Sequence, residues 1–389
     1  MKKKTLLFVV DEMHTGGVSR ALCDTLRNID RRCFSVDVLI LHKHGAMLKE
    51  LPEDVTVLGG PSFFQAVDRP FAELKRSRDI KGLAYKLMLL AYMKSGLIRR
   101  KIKKERKKML LQSYDVEIGY KDGFCTIFTA LGDAKRKLTW IHGDYGVNNT
   151  AKNHMRLMGD ALRGMDGIVA VSDRAAEQVQ QVFGLNKRPR VIANPVDEKL
   201  IWARACEKPI EFPKGTRAIL SVGRLCEAKA FDRLARVHKR LLDDGFAHKV
   251  FIVGEGPARA QLEALIHELG VQDSFLLLGY QENPYPYMRA ADLYVLSSRH
   301  ESFGLVVTEA QLLQIPVIAT DVADVAQRLA PDGKTAYGLI APNSEDGLYA
   351  ALAQVLLNPQ ILGQYRENLK EFHYDNQIIF DQIQELLLL

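Results

Sequence analysis

Two carboxylates eight positions apart, Glu301 and Glu309, bracket the otherwise apolar run RHESFGLVVTEA at residues 299–310. On one α-helix that spacing would set them about 80° apart, hardly a shared face. The pattern makes better sense with Glu301 in a loop and a helix beginning near Gly304. Such a helix N-terminus offers free N–H groups and a partial positive charge, which suits a phosphate. Glu301, just before it, could accept hydrogen bonds from sugar hydroxyls. Glu309, more than one turn inside, could grip a vicinal diol such as ribose. Taken singly, Glu309 also reads as a solvated helix glutamate and Glu301 as an N-terminal helix charge. Upstream, SVGRLCEAK sets Arg224 and Lys229 five apart behind an apolar run and Gly223. A diphosphate calls for this pairing, a planar fork and a compact point charge. Most such cations are solvated surface charges, but the place directly after a strand favours binding.

Other loops carry weaker signals. Gly16-Gly17, in DEMHTGGVSRAL, could let backbone N–H groups approach a ligand, or could simply form a turn. His142, in IHGDY, could hydrogen-bond a substrate hydroxyl or a developing charge; on its own it reads more simply as a strand-end histidine satisfied by backbone. GEGPARA at 254–260 lacks the third glycine of a dinucleotide fingerprint, and Pro257 is expected in the first helical turn, so NAD or FAD is not supported. A diphosphate or base contact from that loop remains open. The chain contains no Asp-x-Asp triplet.

The elements that would position these residues alternate. Apolar runs at 5–10, 35–41, 115–120, 137–142 and 167–172 are each followed by a turn and usually a helix-like stretch. A second series follows at 218–223, 249–256, 274–280, 292–298 and 316–320. Strands alternating with helices predict parallel sheets covered by helices, and 389 residues exceed what one core usually supports. Two α/β domains are expected, 1–196 and 197–370, divided near EKPIEFPKGTR, with an amphipathic C-terminal segment at 371–389. Ligands bind at the carboxyl ends of such strands, so two facing domains would line a cleft.

Composition narrows the class. Hydrophobic content of 47% with 26% charged residues describes an ordinary globular chain. Five scattered cysteines (Cys23, Cys33, Cys125, Cys206, Cys226) without a Cys-x-x-Cys pair argue against a disulfide framework or structural zinc and suit a reducing cytoplasm. MKKKTLLFVVDEM begins like a signal peptide, but its apolar run stops at Asp11, so a first buried strand is expected. LAYKLMLLAYM at 83–93 is too short to cross a bilayer and contains Lys86. Residues 75–108 hold fourteen Lys/Arg against Asp79 and Glu105, about +12, whereas the whole chain is only +7. Their only aromatics are Tyr85 and Tyr92, so nucleic-acid binding is not expected. Apolar residues followed by RRKIKKERKK match the recipe for adsorption to anionic lipid; the plainer reading is a packed helix followed by a solvated one.

Gly16-Gly17, IHGDY, NPVD, SVGRLCEAK, GEGP and the Glu301-x7-Glu309 element together resemble the retaining glycosyltransferases of family 4 (group 1), which have the GT-B fold. The resemblance implies two facing Rossmann-like α/β domains with a cleft between them and a C-terminal helix crossing back to the first. It implies a hexosyltransferase moving a sugar from a UDP-sugar or GDP-mannose type donor to a glycan or lipid-linked acceptor. By that likeness Arg224 and Lys229 neutralise the donor diphosphate, Glu309 holds the ribose, Glu301 the transferred sugar, and His142 approaches that sugar. Gly16, Gly17, Gly223, Gly254, Ser302, Phe303, Gly304 and Leu305 complete the expected donor contacts. No cofactor and no metal is expected. The expected place is cytoplasmic, peripheral on the inner face of the plasma membrane through residues 75–108, in cell-envelope polysaccharide or glycolipid synthesis. A nucleotide-sugar epimerase of similar fold and a non-catalytic nucleotide-sugar-binding subunit are the alternatives. The sequence departs from the family pattern at Ala230 and Gln314, where glycine is common, and at 321–329, which lacks the usual Gly-Gly and Glu.

Overall fold

Runs such as TLLFVV are apolar without alternation, the signature of strands covered on both faces; in the computed structural model Leu6 to Val10 are almost wholly buried. Residues 3–60, 63–64, 69, 71–110, 112–145, 152–213 and 215–389 are described. Met1, Lys2 and, within the expected break, Lys214 lie outside the described residues.

Among the described residues thirteen strands form two all-parallel sheets. The first contains β1 (Lys4–Val10), β2 (Phe34–Ile40), β3 (Thr56–Gly59), β4 (Val116–Gly119), β5 (Arg136–Ile141), β6 (Gly167–Ala170) and β7 (Arg190–Val191), in the order β3-β2-β1-β4-β5-β6-β7. The second contains β8 (Arg217–Val222), β9 (His248–Val253), β10 (Phe275–Gly279), β11 (Leu293–Leu296), β12 (Val317–Thr320) and β13 (Gly338–Ala341), in the order β10-β9-β8-β11-β12-β13. The ten strands expected from sequence are present. The three not anticipated, β3, β7 and β13, are all sheet edges. β7 has only two residues and β3 only Val57 and Leu58 as apolar residues, so both leave little apolar signature; the fourth edge, β10, is among the ten expected.

The chain divides into two compact units, 1–195 with 376–389, and 196–375. The terminal helix starts at Asn376 rather than near 371, and residues 371–375 stay with the second unit. The terminal helix buries Ile379, Ile383, Leu386 and Leu387, one helical stripe, and Arg190 reaches its Glu385.

The basic segment is helical, as expected, but broken. Helices Phe71–Arg76, Ile80–Lys94 and Ile98–Met109 are separated by short turns, the last containing Gly96 at φ +73°. Ile98–Met109 buries Ile98, Ile102, Glu105 and Arg106 and exposes Arg99, Arg100, Lys103, Lys104, Lys107 and Lys108. Ile80–Lys94 leaves Ile80, Leu87, Met88 and Leu90 exposed, and Leu97 follows in the turn. Among the described residues no helix is long and apolar enough to cross a membrane.

The second unit's core holds a buried polar chain. His248 Nδ1 lies 2.8 Å from Phe246 O, His238 Nδ1 2.8 Å from His248 Nε2, and His238 Nε2 2.8 Å from Ser274 Oγ. The carbonyl of Phe246 accepts, so His248 Nδ1 carries a proton and its Nε2 receives one from His238. Burial pushes His238 down to about 3 and lowers His248 as well. Below about pH 6.5 the unfolded chain therefore binds protons that the folded unit refuses, and stability falls as pH drops toward 3. The expected loss from His238 is about 1.4 kcal/mol per pH unit over that range. Urea unfolding at pH 7 and pH 5 checks this: His238→Asn should flatten the pH dependence, and an unchanged slope would remove His238 as its source.

Candidate functional site

In each sheet the strand order reverses at one point, between β1 and β4 in the first and between β8 and β11 in the second. Ligands of doubly wound sheets bind beyond the carboxyl ends of the strands at that point. The loops leaving β8 and β11 carry Arg224, Lys229 and Glu301, three of the residues singled out by sequence.

Those two loops are stitched together. Ser297 Oγ donates to Lys229 O at 2.8 Å, and Arg299 N–H donates to Ala228 O at 2.8 Å. Arg299 also forks onto Asp232 at 2.9 and 2.8 Å. Lys229 Nζ pairs with Glu301 Oε1, which also accepts from Ser298 Oγ at 2.8 Å. Arg224 is exposed, and among the described residues no acid pairs with it. The site thus combines an open guanidinium with an ammonium held in place by a neighbouring carboxylate. Helix Leu305–Leu312 starts beside them from Gly304, at φ +74° and without a side-chain cap. Phe303, Gly304 and Leu305 are buried and Ser302 is half-buried. Glu309 is buried and accepts from Tyr285 Oη at 3.1 Å, so the solvated-glutamate reading does not hold.

Gly223 and Gly254 sit where two loops cross backbone to backbone. A Cβ on Gly254, at φ +151°, would come 1.9 Å from Gly223 O, and one on Gly256 would come 2.3 Å from Leu225 O. Leu225 N–H donates to Glu255 O at 3.0 Å. The GEGP loop therefore braces the segment bearing Arg224. Pro257 lies in the turn before helix Arg259–Glu268 rather than in its first turn.

In the first unit, Gly16 precedes helix Gly17–Asn28 in extended conformation, with no side-chain cap and no acid in the first turn. A Cβ at Gly16 would meet nothing within 4 Å, so packing alone does not call for glycine there. His142, just past β5, is buried; its backbone N–H donates to Asp122 Oδ1 at 3.0 Å, but its side-chain Nε2 is buried without a partner. The backbone-satisfied reading holds in part: the ring is hydrogen-bonded to the Tyr120 backbone, but Nε2 is left over. Burial pushes His142 down to about 4, so its ring is neutral near pH 7. Asp122 was not anticipated. It follows β4, also accepts from Tyr145 Oη at 2.8 Å, and would be 2.5 Å from a Cβ at position 143. Its only sequence signal is the polar KDG turn after an expected strand.

Among the described residues the non-glycine positions at positive φ are Arg78, Ala230, Gln314 and Ala323. The last three coincide with the sequence's departures from the family pattern. Gln314 follows the last turn of helix Leu305–Leu312 at φ +60°, the place where helices commonly end in glycine. A left-handed non-glycine residue costs about 1–2 kcal/mol, partly offset by glycine's greater unfolded-state entropy. Gln314→Gly is expected to stabilise the second unit by about 0.5–1 kcal/mol. A urea midpoint at or below that of the wild type would contradict this.

Comparison with known proteins follows the same division. The model of the family described as Glycosyltransferase Family 4 matches residues 15–200, and that of Glycosyl transferases group 1 matches 205–375. Over 207 residues the chain is 30% identical to the N-acetylgalactosamine-N,N'-diacetylbacillosaminyl-diphospho-undecaprenol 4-alpha-N-acetylgalactosaminyltransferase of Campylobacter jejuni, covering 53% of this chain and 54% of that protein. It is 24% identical over 249 residues to the N-acetyl-alpha-D-glucosaminyl L-malate synthase of Bacillus anthracis, covering 63% and 65%. The matches thus span about half to two-thirds of these relatives. Among solved structures, Anabaena HepE in complex with UDP and glucose superposes with a TM-score of 0.73 at 18% identity, covering 99% of both chains. Sucrose-phosphate synthase from Thermosynechococcus elongatus gives 0.72 at 17%, covering 99% of this chain and 98% of that one. These likenesses give the fold, GT-B, with its two parallel-sheet α/β domains.

Proposed function

Because the chain belongs to the group 1 glycosyltransferases of family 4, we propose that it moves a sugar, with retention, from a nucleotide-diphosphate sugar to a lipid-linked or glycan hydroxyl. The observation that carries this reading is the cluster at the β8–β11 switch point: exposed Arg224, paired Lys229–Glu301, and the uncapped start of helix Leu305–Leu312. Breaking an anomeric bond builds negative charge on the departing diphosphate. Arg224 and Lys229 stabilise that charge, and the helix end is left to the sugar. Only the part of this attraction that grows in the transition state speeds transfer. The phosphate leaves carrying enough negative charge to take the acceptor proton on the same face, so no separate base is required, and Arg224 and Lys229 stand in place of a metal clamp. Glu301 holds the transferred sugar, Glu309 the ribose, and the neutral ring of His142 a sugar hydroxyl.

Two names support the finer assignment. HepE was solved with UDP and glucose, which favours a uridine donor. The Campylobacter relative is named for a diphospho-undecaprenol substrate, which favours a lipid-linked acceptor and envelope glycan synthesis. The test is incubation with UDP-glucose, UDP-N-acetylglucosamine, UDP-N-acetylgalactosamine and GDP-mannose plus a bacterial lipid extract. Release of one nucleoside diphosphate with an α-linked product by NMR is expected; no release from any donor would overturn the reading.

A lipid-linked acceptor goes with a membrane-adsorbed first unit. The six exposed cations of helix Ile98–Met109 stand next in the chain to exposed Leu87, Met88, Leu90 and Leu97. At about 1 kcal/mol per basic residue near an anionic surface, reversing Lys103, Lys104, Lys107 and Lys108 to glutamate should abolish flotation with phosphatidylglycerol vesicles. Wild-type protein that stays with the soluble fraction would contradict this assignment.

A further inference from the structure

Arg328, on the short helix Val325–Leu329 within the segment that departs from the family pattern, sends its guanidinium to the backbone just ahead of helix Leu305–Leu312. Nη2 donates to Phe303 O; Nη1 donates to Gly304 O at 3.3 Å and to Thr308 Oγ1 at 3.1 Å. The guanidinium lies 4.3 Å from the centre of the Phe303 ring, and Gln311 Nε2 returns a bond to Arg328 O at 2.8 Å. Among the described residues no carboxylate pairs with it, and its Nε is buried without a partner. Burial lowers its pKa to about 10. A cation desolvated without a carboxylate in contact is costly, and what it holds here is two consecutive carbonyls, of which Gly304 O also accepts from Val307 N–H at 3.0 Å.

Those carbonyls fix where two N–H groups point. A trans peptide sets each N–H opposite the C=O of the preceding residue. With the carbonyls of Phe303 and Gly304 turned to Arg328, the N–H groups of Gly304 and Leu305 are turned away from it. Both residues are buried, and neither N–H has a protein acceptor among the described residues. They stand at the helix N-terminus three and four positions after Glu301.

We infer that Arg328 is a positioning residue that locks the loop Phe303–Gly304 so that the N–H groups of Gly304 and Leu305 face the transferred sugar. The inference rests on the donor-site reading above. Lysine cannot replace it, because a point charge does not span two carbonyls and a hydroxyl as a planar fork does.

The experiment compares UDP with UDP-glucose, and GDP with GDP-mannose, by calorimetry on wild type, Arg328→Lys and Arg328→Met. With whichever pair the wild type binds, both variants should lose at least tenfold in affinity for the nucleotide sugar. Affinity for the nucleoside diphosphate alone should change less than threefold. Equal losses for both ligands would show general loosening of the site and overturn the inference, as would unchanged affinity for both. Thr308→Val, which removes one anchor of the fork, gives a second reading should the Arg328 variants not fold. A loss of about threefold confined to the nucleotide sugar supports the inference, and none overturns it. A wild type that binds none of the four ligands would defeat the donor-site reading and this inference together, whereas intact wild-type binding with indifferent variants defeats the inference alone.

Discussion

Lys229→Ala is expected to lower turnover by about 10²–10³-fold, the effect of removing one preorganised charge from a developing oxyanion, while the second unit stays folded. Lys229 is the ammonium nearest Glu301, and the two loops that hold the pair are fixed to each other through Ser297 and Arg299. Removing Lys229 leaves Glu301 with Ser298 as its remaining polar contact of the pair. Because Glu301 is only about a tenth exposed, some stability is lost as well, on the order of 1–3 kcal/mol for a partner left unsatisfied. The two effects separate in a double variant. Lys229→Ala with Glu301→Gln should recover much of the stability, since no carboxylate is left uncompensated, but none of the turnover. Steady-state donor turnover and urea unfolding on the same preparations check this. Recovery of turnover in the double variant would show that Lys229 matters only as a counter-ion.

Glu117→Ala is expected to destabilise the first unit by about 3–5 kcal/mol, the range for breaking a buried ion pair from one side. Glu117 lies inside β4, almost wholly buried. Arg106 reaches it from helix Ile98–Met109 with both terminal nitrogens, at 2.7 and 2.6 Å. The same guanidinium donates to Phe128 O at 3.0 Å and lies 4.4 Å from the Phe128 ring centre. Burial raises the Glu117 pKa even with the arginine beside it, so the carboxylate is held at a cost that only its partner offsets. Truncation strands the Arg106 charge and loosens the basic helix from the sheet. Arg106→Met with Glu117→Leu removes both charges and should cost much less than either single change. Urea unfolding of the three variants decides it; a Glu117→Ala loss below about 1 kcal/mol would mean that water replaces the carboxylate.

What was legible in the sequence follows from burial. Interior strands such as β1 and β8 are covered on both faces and read as unbroken apolar runs, so their places were plain. The two-residue β7 and β3, whose apolar residues are only Val57 and Leu58, carry too little apolar sequence to stand out. The switch-point loops were legible because Arg224, Lys229 and Glu301 follow such runs directly. Three things were not. Arg106 is one of fourteen cations in its segment, and nothing in its neighbours marks it as the one that turns inward to Glu117. Asp122 depends on a contact across β4 and β5 that spacing does not encode. Gly254 is required by a backbone crossing with Gly223, which looks the same in sequence as a ligand-binding glycine. The departures at Ala230, Gln314 and Ala323 were visible as letters, but only the positive φ at each shows what they cost.

The most direct measurement is calorimetric binding of UDP, GDP and ADP to the purified protein, with and without EDTA, repeated on Arg224→Ala. Micromolar binding of one nucleotide, indifferent to EDTA and lost in the variant, is the result expected if the exposed guanidinium at the β8–β11 switch point receives a donor diphosphate. Folded protein that binds none of the three, or binds one equally well without Arg224, would contradict that assignment.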